Sequence, residues 1–244
     1  ERGGKFGVIG SNQTTNEENF YLRKFVREGL GAPNIDHRRT GDVGALLQAL
    51  GGKQGALATV GDLYLTKAAL VIGSDLSQQH PLLAYQLRAN KRHHNAHLYV
   101  VTPGAVREDQ YAFKSVRAAA GGELAALEGL RDSLKAEADL TILFGDSIQG
   151  EAVSKLVAFA DSLGIPVKYV PLVDYSNSRG AFDMGVGPAE GGLDYNGIVS
   201  ATDLDAVWVV GENPLKDKAL GSTGAFVVVQ DLFLTETAKR ADIV

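Results

Sequence analysis

The sequence predicts an α/β fold made of two doubly wound, Rossmann-like halves with mainly parallel sheets. Three observations carry that reading. Apolar runs rich in Val, Ile and Leu recur with little alternation, as strands buried on both faces do. Four of these runs end in glycine followed by small polar residues. Helical periodicity follows three of them, and strand–helix–strand repetition implies right-handed crossovers.

The first run is FGVIGSN, Phe6 to Asn12. Thr14 and Thr15 then precede Glu17 and Glu18 at capping-box spacing. Leu22, Phe25 and Val26 form an apolar stripe, and Gly29 stands where a helix C′ residue belongs. NIDHRRTGDVG, residues 34–44, then gathers Asp36, His37, Arg38, Arg39 and Asp42. That composition suits a metal site, a phosphate clamp, an acid/base pair or a solvated loop.

The second run is ALVIGSD, Ala69 to Asp75. Pro81 fits the first turn of the following helix, with Leu83, Tyr85 and Leu87 behind it. KRHHNAH, Lys91 to His97, places His93 and His97 four apart, a possible metal pair on a helix. The bland alternative is preferred: cations suit a helix C-terminus, and the strand HLYVVTP begins at His97. AAAGGELAALEGLRDSLKAEA reads as helix with a Gly-Gly interruption, and the chain is expected to divide there, into halves 1–125 and 126–244.

The third run is LTILFGDS, Leu140 to Ser147. Val153, Leu156, Val157, Ala160 and Leu163 repeat at helical spacing until Gly164. PVKYVPL, Pro166 to Leu172, is the next strand. YSNSRGAFDMG reads as a surface loop, unless its Asn177, Arg179 and Asp183 face a cofactor. GVGPAEGG, Gly185 to Gly192, reads as a flexible loop. AVWVVGEN, Ala206 to Asn213, is the fourth run, and AFVVVQD, Ala225 to Asp231, closes the series.

Composition narrows the function classes. At 244 residues, 45% hydrophobic and 22% charged, the chain has enough apolar residues for a core. A net charge of -5 gives no global basic field for nucleic acid, and one tryptophan with 7% aromatics argues against a base-stacking surface. The absence of cysteine excludes disulfides, thiolate zinc, cysteine-ligated iron–sulfur clusters and cysteine nucleophiles within this chain, and fits a reducing compartment. No apolar run approaches the ~20 residues that span a bilayer, so no direct membrane insertion is expected. ERGGKFGVIG lacks a signal-peptide pattern. The missing initial methionine and the ending TAKRADIV are expected of a piece of a longer chain.

Familiar nucleotide motifs are missing. GGKQ has a Gly-Lys pair, but Gln54 stands where a P-loop needs Ser or Thr. No GxGxxG follows a strand and no GxSxG elbow occurs. No catalytic residue is assigned. In doubly wound sheets the ligand cleft lies beyond the C-terminal strand ends. The turns there are Gly10-Ser11-Asn12, Gly73-Ser74-Asp75, Gly145-Asp146-Ser147 and Gly211-Glu212-Asn213. Glycine lets a ligand approach the backbone, and helix N-termini favour an anion, so the four turns together point to a cleft that once held a phosphate-bearing ligand. Any single strand-to-helix turn, however, wants glycine and a cap.

Several segments in order resemble the molybdopterin oxidoreductase family, which contains formate dehydrogenases and dimethyl sulfoxide reductase. They are NEENFYLRKFVREGLGAPNID, ALVIGSDLSQQHPLLAYQLRANKRHHNAHLYVVTP, NSRGAFDMGVGP, VWVVGENPLKD and VVVQDLFLTETAKRADIV. The resemblance implies two central α/β domains that hold a molybdopterin guanine dinucleotide, with the turns at Gly73 and Gly211 bordering the cleft. It also implies a metal ligand a few residues after Asn34-Ile35-Asp36. Counted without gaps, Asp42 falls there, but the family's surrounding motif is gone.

That departure, and a short stretch between VVTP and ILFGD, point to one branch: the large iron–sulfur subunit, or G subunit, of NADH-quinone oxidoreductase, respiratory complex I. The resemblance then implies a structural domain with no redox centre of its own. Gly10, Ser11, Asn12, Gly73, Ser74, Asp75, Gly211, Glu212 and Asn213 would line a vestigial cleft. Asp36 and His37 would hydrogen-bond locally, and Arg38 and Arg39 would fill or seal the cleft. Iron–sulfur clusters would sit elsewhere in the parent protein, which would take part in electron transfer from NADH to quinone. Its partners would be other peripheral-arm subunits, on the cytoplasmic side of the bacterial inner membrane. The alternative is a fragment of an active molybdopterin-dependent oxidoreductase with Asp42 as metal ligand. A third reading is a dinucleotide-binding module.

Overall fold

The computed structural model describes residues 5–38, 41–53, 55–216 and 219–244. Its strands are β1 (Phe6–Gly10), β2 (Asn34–His37), β3 (Ala68–Ile72), β4 (His97–Thr102), β5 (Lys114–Arg117), β6 (Leu140–Phe144), β7 (Val167–Pro171), β8 (Ala206–Val210) and β9 (Phe226–Gln230). The helices are α1 (Asn16–Lys24), α2 (Val43–Leu50), α3 (Val60–Leu65), α4 (Leu76–Gln79), α5 (Pro81–His94), α6 (Glu123–Ala126), α7 (Arg131–Lys135), α8 (Glu151–Ser162), α9 (Ser178–Asp183) and α10 (Tyr195–Ser200). The paired strands all run parallel, in two sheets, as the α/β class requires.

The chain forms two compact units. The first joins Glu1–Arg39 to Tyr175–Val244, and the second is Thr40–Asp174, inserted in sequence between β2 and α9. The boundary expected near residue 125 falls inside the second unit. Strand pairing is the reason: β3 lies between β4 and β6, with Leu70 opposite both Tyr99 and Ile142, so strands before and after residue 125 share one sheet.

The first unit carries the sheet β2-β1-β8-β9. Val8 packs on one face with Leu22, Val26 and Ile35, while Ile9 packs on the other with Ile198, Val207 and Val209. The second unit carries β5-β4-β3-β6-β7. Leu70, Ile72, Ile142 and Phe144 share one core, and Ala69, Val71, Leu98 and Leu143 share the opposite one. Consecutive residues thus enter opposite cores, which is why the runs are apolar throughout. Each large side chain so buried contributes about 1.5–3 kcal/mol.

The helix starts follow their local chemistry. Thr15 and Glu18 make the reciprocal capping box of α1, at 2.8 and 3.2 Å. Pro81 opens α5, whose last turn holds Lys91, Arg92, His93 and His94, and β4 begins at His97. Three expectations need correction. Gly29 is not a left-handed C′ residue: α1 runs into a π turn, Phe25–Gly29, and the left-handed glycine is Gly31, at φ 63°. The alanine-rich segment becomes helical only beyond Gly122, as α6, a 3-10 turn Leu127–Leu130 and α7. YSNSRGAFDMG is not a surface loop: it forms α9, with Ser178, Gly180 and Ala181 buried.

Candidate functional site

Each unit brings two of the polar turns together, because their strands are neighbours. In the first unit, β1 and β8 place Gly10-Ser11-Asn12 beside Gly211-Glu212-Asn213. A Cβ on Gly211 would lie 3.2 Å from Ser11 Cβ. In the second unit, β3 and β6 place Gly73-Ser74-Asp75 beside Gly145-Asp146-Ser147. Gly73 has φ 67°, where a side chain is strained, and a Cβ there would lie 2.1 Å from Ser147 Oγ, so a larger residue would have to displace the Ser147 hydroxyl.

The side chains of these turns are engaged with the protein itself. Ser11 Oγ accepts the Gln13 amide at 3.0 Å. Asn12 is fully buried and donates through Nδ2 to the Arg38 carbonyl at 2.8 Å. Its Oδ1 has no hydrogen-bond partner. Glu212 Oε1 accepts the Asn213 amide at 3.1 Å. Asn213 Oδ1 accepts both the amide and the hydroxyl of Thr237, at 3.1 and 2.7 Å, and its Nδ2 donates to Glu236 at 2.6 Å. Ser74 donates to Gln79 Oε1 at 2.6 Å, and Asp75 N-caps α4.

A molybdopterin guanine dinucleotide carries a pyrophosphate, which needs N–H donors or cations. The side chains of the described turns offer carboxylates at Asp75 and Glu212, an orphaned acceptor at Asn12, and the amide groups of Asn12 and Asn213, whose N–H donors are already engaged. The first turn of α1 is also filled by Glu17 and Glu18. These side chains do not fit a pyrophosphate.

Asp42 has a clear place. It N-caps α2, accepting the Ala45 amide through Oδ1 at 2.9 Å. Its Oδ2 accepts the Gly150 amide, also at 2.9 Å, and Gly150 is the N-cap of α8. One carboxylate thus serves two helix N-termini, where a negative charge is favoured. The neighbouring contact runs the other way: the Gly41 amide donates to Asp146 Oδ1 at 2.5 Å. Gly41 has φ 70°, and a Cβ there would meet the Leu172 carbonyl at 2.2 Å.

The rest of NIDHRRTGDVG folds into structure. Asn34–His37 is β2, and Ile35, Asp36 and His37 are buried. Asp36 Oδ2 accepts the Tyr195 amide at 2.9 Å, and His37 Nδ1 donates to the Val186 carbonyl at 2.7 Å. Arg38 lends its carbonyl to Asn12, while Arg39 and Gln54 lie outside the described residues.

The other candidates resolve similarly. His93 Nδ1 is 2.8 Å from the Tyr64 hydroxyl, whereas His97 Nδ1 is 2.8 Å from Glu137 and its ring stacks on Phe113, so the two do not converge. Asn177 donates to the Thr14 carbonyl and Asn16, and Arg179 pairs with Asp183 one turn on. Among the described residues no three His, Cys, Asp or Glu side chains are arranged to hold a metal. Composition does not single out His80, between α4 and α5. Burial pushes its imidazole below the usual range, against the opposing pull of Asp174 and Asp146. Its only sequence signal is the His-Pro step into a helix. Among the described residues no helix is long and apolar enough to cross a membrane.

Comparison with known proteins completes the picture. The family profile "Molybdopterin oxidoreductase" matches residues 1–244. The G subunit of the NADH-quinone oxidoreductase of Mycobacterium bovis is 26% identical over 225 residues, covering 86% of this chain and 27% of the relative. The alpha subunit of the F420-dependent formate dehydrogenase of Methanocaldococcus jannaschii is 24% identical over 341 residues, covering 98% of this chain and 50% of the relative. The chain therefore spans from about a quarter to half of these relatives' length. A chain in the crystal structure of the formyltransferase/hydrolase complex of Methylorubrum extorquens with methylofuran shares the fold. Its TM-score is 0.67 at 17% identity, covering 99% of this chain and 79% of that one.

Proposed function

This chain belongs to the molybdopterin oxidoreductase family, and from that premise we propose that it is a structural domain of the G subunit of respiratory complex I. Such a domain scaffolds an electron-transfer protein and carries no redox centre of its own. The observation that supports this reading is Asp42. Counted from Asn34-Ile35-Asp36, it falls at about the position where the family resemblance implies a metal ligand, and its two carboxylate oxygens hold the backbone amides of Ala45 and Gly150. The polar turns, whose side chains do not fit a pyrophosphate, support it further.

On this reading the parent protein bears iron–sulfur clusters and takes part in electron transfer from NADH to quinone. Its partners are other peripheral-arm subunits, and it sits peripherally on the cytoplasmic side of the bacterial inner membrane. The relatives that bear the name of this NADH-quinone oxidoreductase component support these assignments.

A second reading is a fragment of an active molybdopterin-dependent oxidoreductase in which Asp42 ligates the metal. The formate dehydrogenase relative, which aligns with 98% of this chain, favours it. Elemental analysis of the full-length parent separates the two. The structural reading expects no stoichiometric molybdenum or tungsten, and Asp42→Ala leaves metal content unchanged. Stoichiometric metal that disappears in Asp42→Ala would establish the second reading instead.

A further inference from the structure

The first unit has a groove of about 890 Å³ between α1 and the C-terminal ends of β8 and β9. Its floor is aromatic: Tyr21, Phe25, Trp208 and Phe233 line it, and Phe25 meets Trp208 edge-on at 6.0 Å. Much of this surface faces solvent, with Tyr21 67%, Phe233 75% and the adjoining Leu232 93% exposed. Large exposed apolar side chains in a contiguous patch mark an interaction site. The rim has one sign of charge. Glu17, Glu18 and Asp231 are the charged residues that line the groove among the described residues.

We infer that this groove docks a basic, amphipathic polypeptide segment of a partner protein. Leucine-like side chains on such a segment would fill the floor, and its lysines or arginines would meet the carboxylates and the faces of Tyr21 and Trp208. Charge argues against a second copy and against anionic ligands. A second copy meeting through this face would set the same carboxylates against each other. An anionic lipid surface or a phosphate-rich ligand would be repelled by the rim. The inference rests on the reading of the domain as part of an assembly, for which it supplies one surface.

Trp208 is the only tryptophan of the chain and lines the groove, so its emission reports occupancy. The full chain is titrated with a short amphipathic peptide of lysine and leucine, and with a matched peptide of glutamate and leucine. The basic peptide is expected to change Trp208 emission saturably, and the acidic one to leave it unchanged. Reversing one rim charge, Glu17→Lys, should weaken the basic peptide by about fivefold. Phe233→Ser, at an exposed position, tests the apolar floor independently and should also weaken it. Four results would overturn the inference: a flat titration, equal binding of both peptides, a concentration-dependent dimer that alone moves Trp208 emission, or a shift with anionic vesicles. A flat titration on a parent free of molybdenum removes this inference while leaving the structural reading in place.

Discussion

Asp42 Oδ2 accepts the amide of Gly150 at 2.9 Å across 108 residues of sequence. The same carboxylate already caps its own helix through Ala45. This bond ties the start of α2 to the start of α8, and with the Gly41–Asp146 contact it fixes how the second unit's chain begins. Asp42 is thus a joint between two helices.

Asp42→Ala removes the α2 cap and the bond to Gly150, and is expected to destabilise the chain by about 2 kcal/mol, at roughly 1 kcal/mol for each. Asp42→Asn keeps one oxygen acceptor and should cost less. Urea denaturation of the two variants beside the parent sequence measures the difference. Equal stability of all three would show that these two bonds contribute nothing.

Gly41→Ala faces both a left-handed backbone and the Leu172 carbonyl. Overpacking of this kind costs about 1–3 kcal/mol, with the φ penalty in addition. Gly52, also at positive φ but with nothing within 4 Å of its Cβ position, isolates the backbone part. Gly41→Ala should therefore lower the melting temperature more than Gly52→Ala does.

Acid sensitivity should include a contribution from Asp62. Its carboxylate bonds Lys168 at 2.6 Å and the backbone and hydroxyl of Thr59, which lowers its pKa from 3.8 to about 2. The unfolded chain takes up this proton first as pH falls, so the group stabilises the fold above pH 3.8 and loses that effect down to about 2. Asp62→Asn should flatten the fall of the urea midpoint across that window. An unchanged slope would remove Asp62 from the acid response.

Asn213→Ala leaves the buried Thr237 amide and hydroxyl without their acceptor, at a cost of about 1–3 kcal/mol. Asn213→Asp keeps that acceptor but sets a carboxylate against Glu236, its present partner at 2.6 Å. The Asp variant should regain stability as pH falls and Glu236 protonates, whereas the Ala variant should not. Thermal melts at neutral and mildly acidic pH distinguish them.

The legible parts of the fold are those with short-range causes. FGVIG, AALVI, LTILF and AVWVV announce strands because both their faces are buried, and Thr15 with Glu18 announces a helix start. The strand Asn34–His37 is hidden because its polar residues are satisfied from afar: Asp36 by Tyr195, His37 by Val186. Asp42 is half legible, since an Asp ahead of VGALLQAL is an ordinary N-cap, but its bond to Gly150 has no local signal. The domain division is hidden for the same reason. Nothing near residue 125 reveals that Ile142 will pair with Leu70, or that Ile9 will pair with Val209.

The inserted arrangement also sets an order in time. Strands β3 to β7 find all their ladder partners within residues 68–171. As the chain leaves the ribosome, that unit can close as soon as β7 is made. Strand β1 emerges first and can pair with β2, but it waits longest for its second partner, because β8 begins only at Ala206. Until then one long edge of β1 is unpaired and open to wrong partners. A chain stalled between Pro171 and Ala206 would hold a finished inserted unit beside a flanking unit whose sequence is still incomplete.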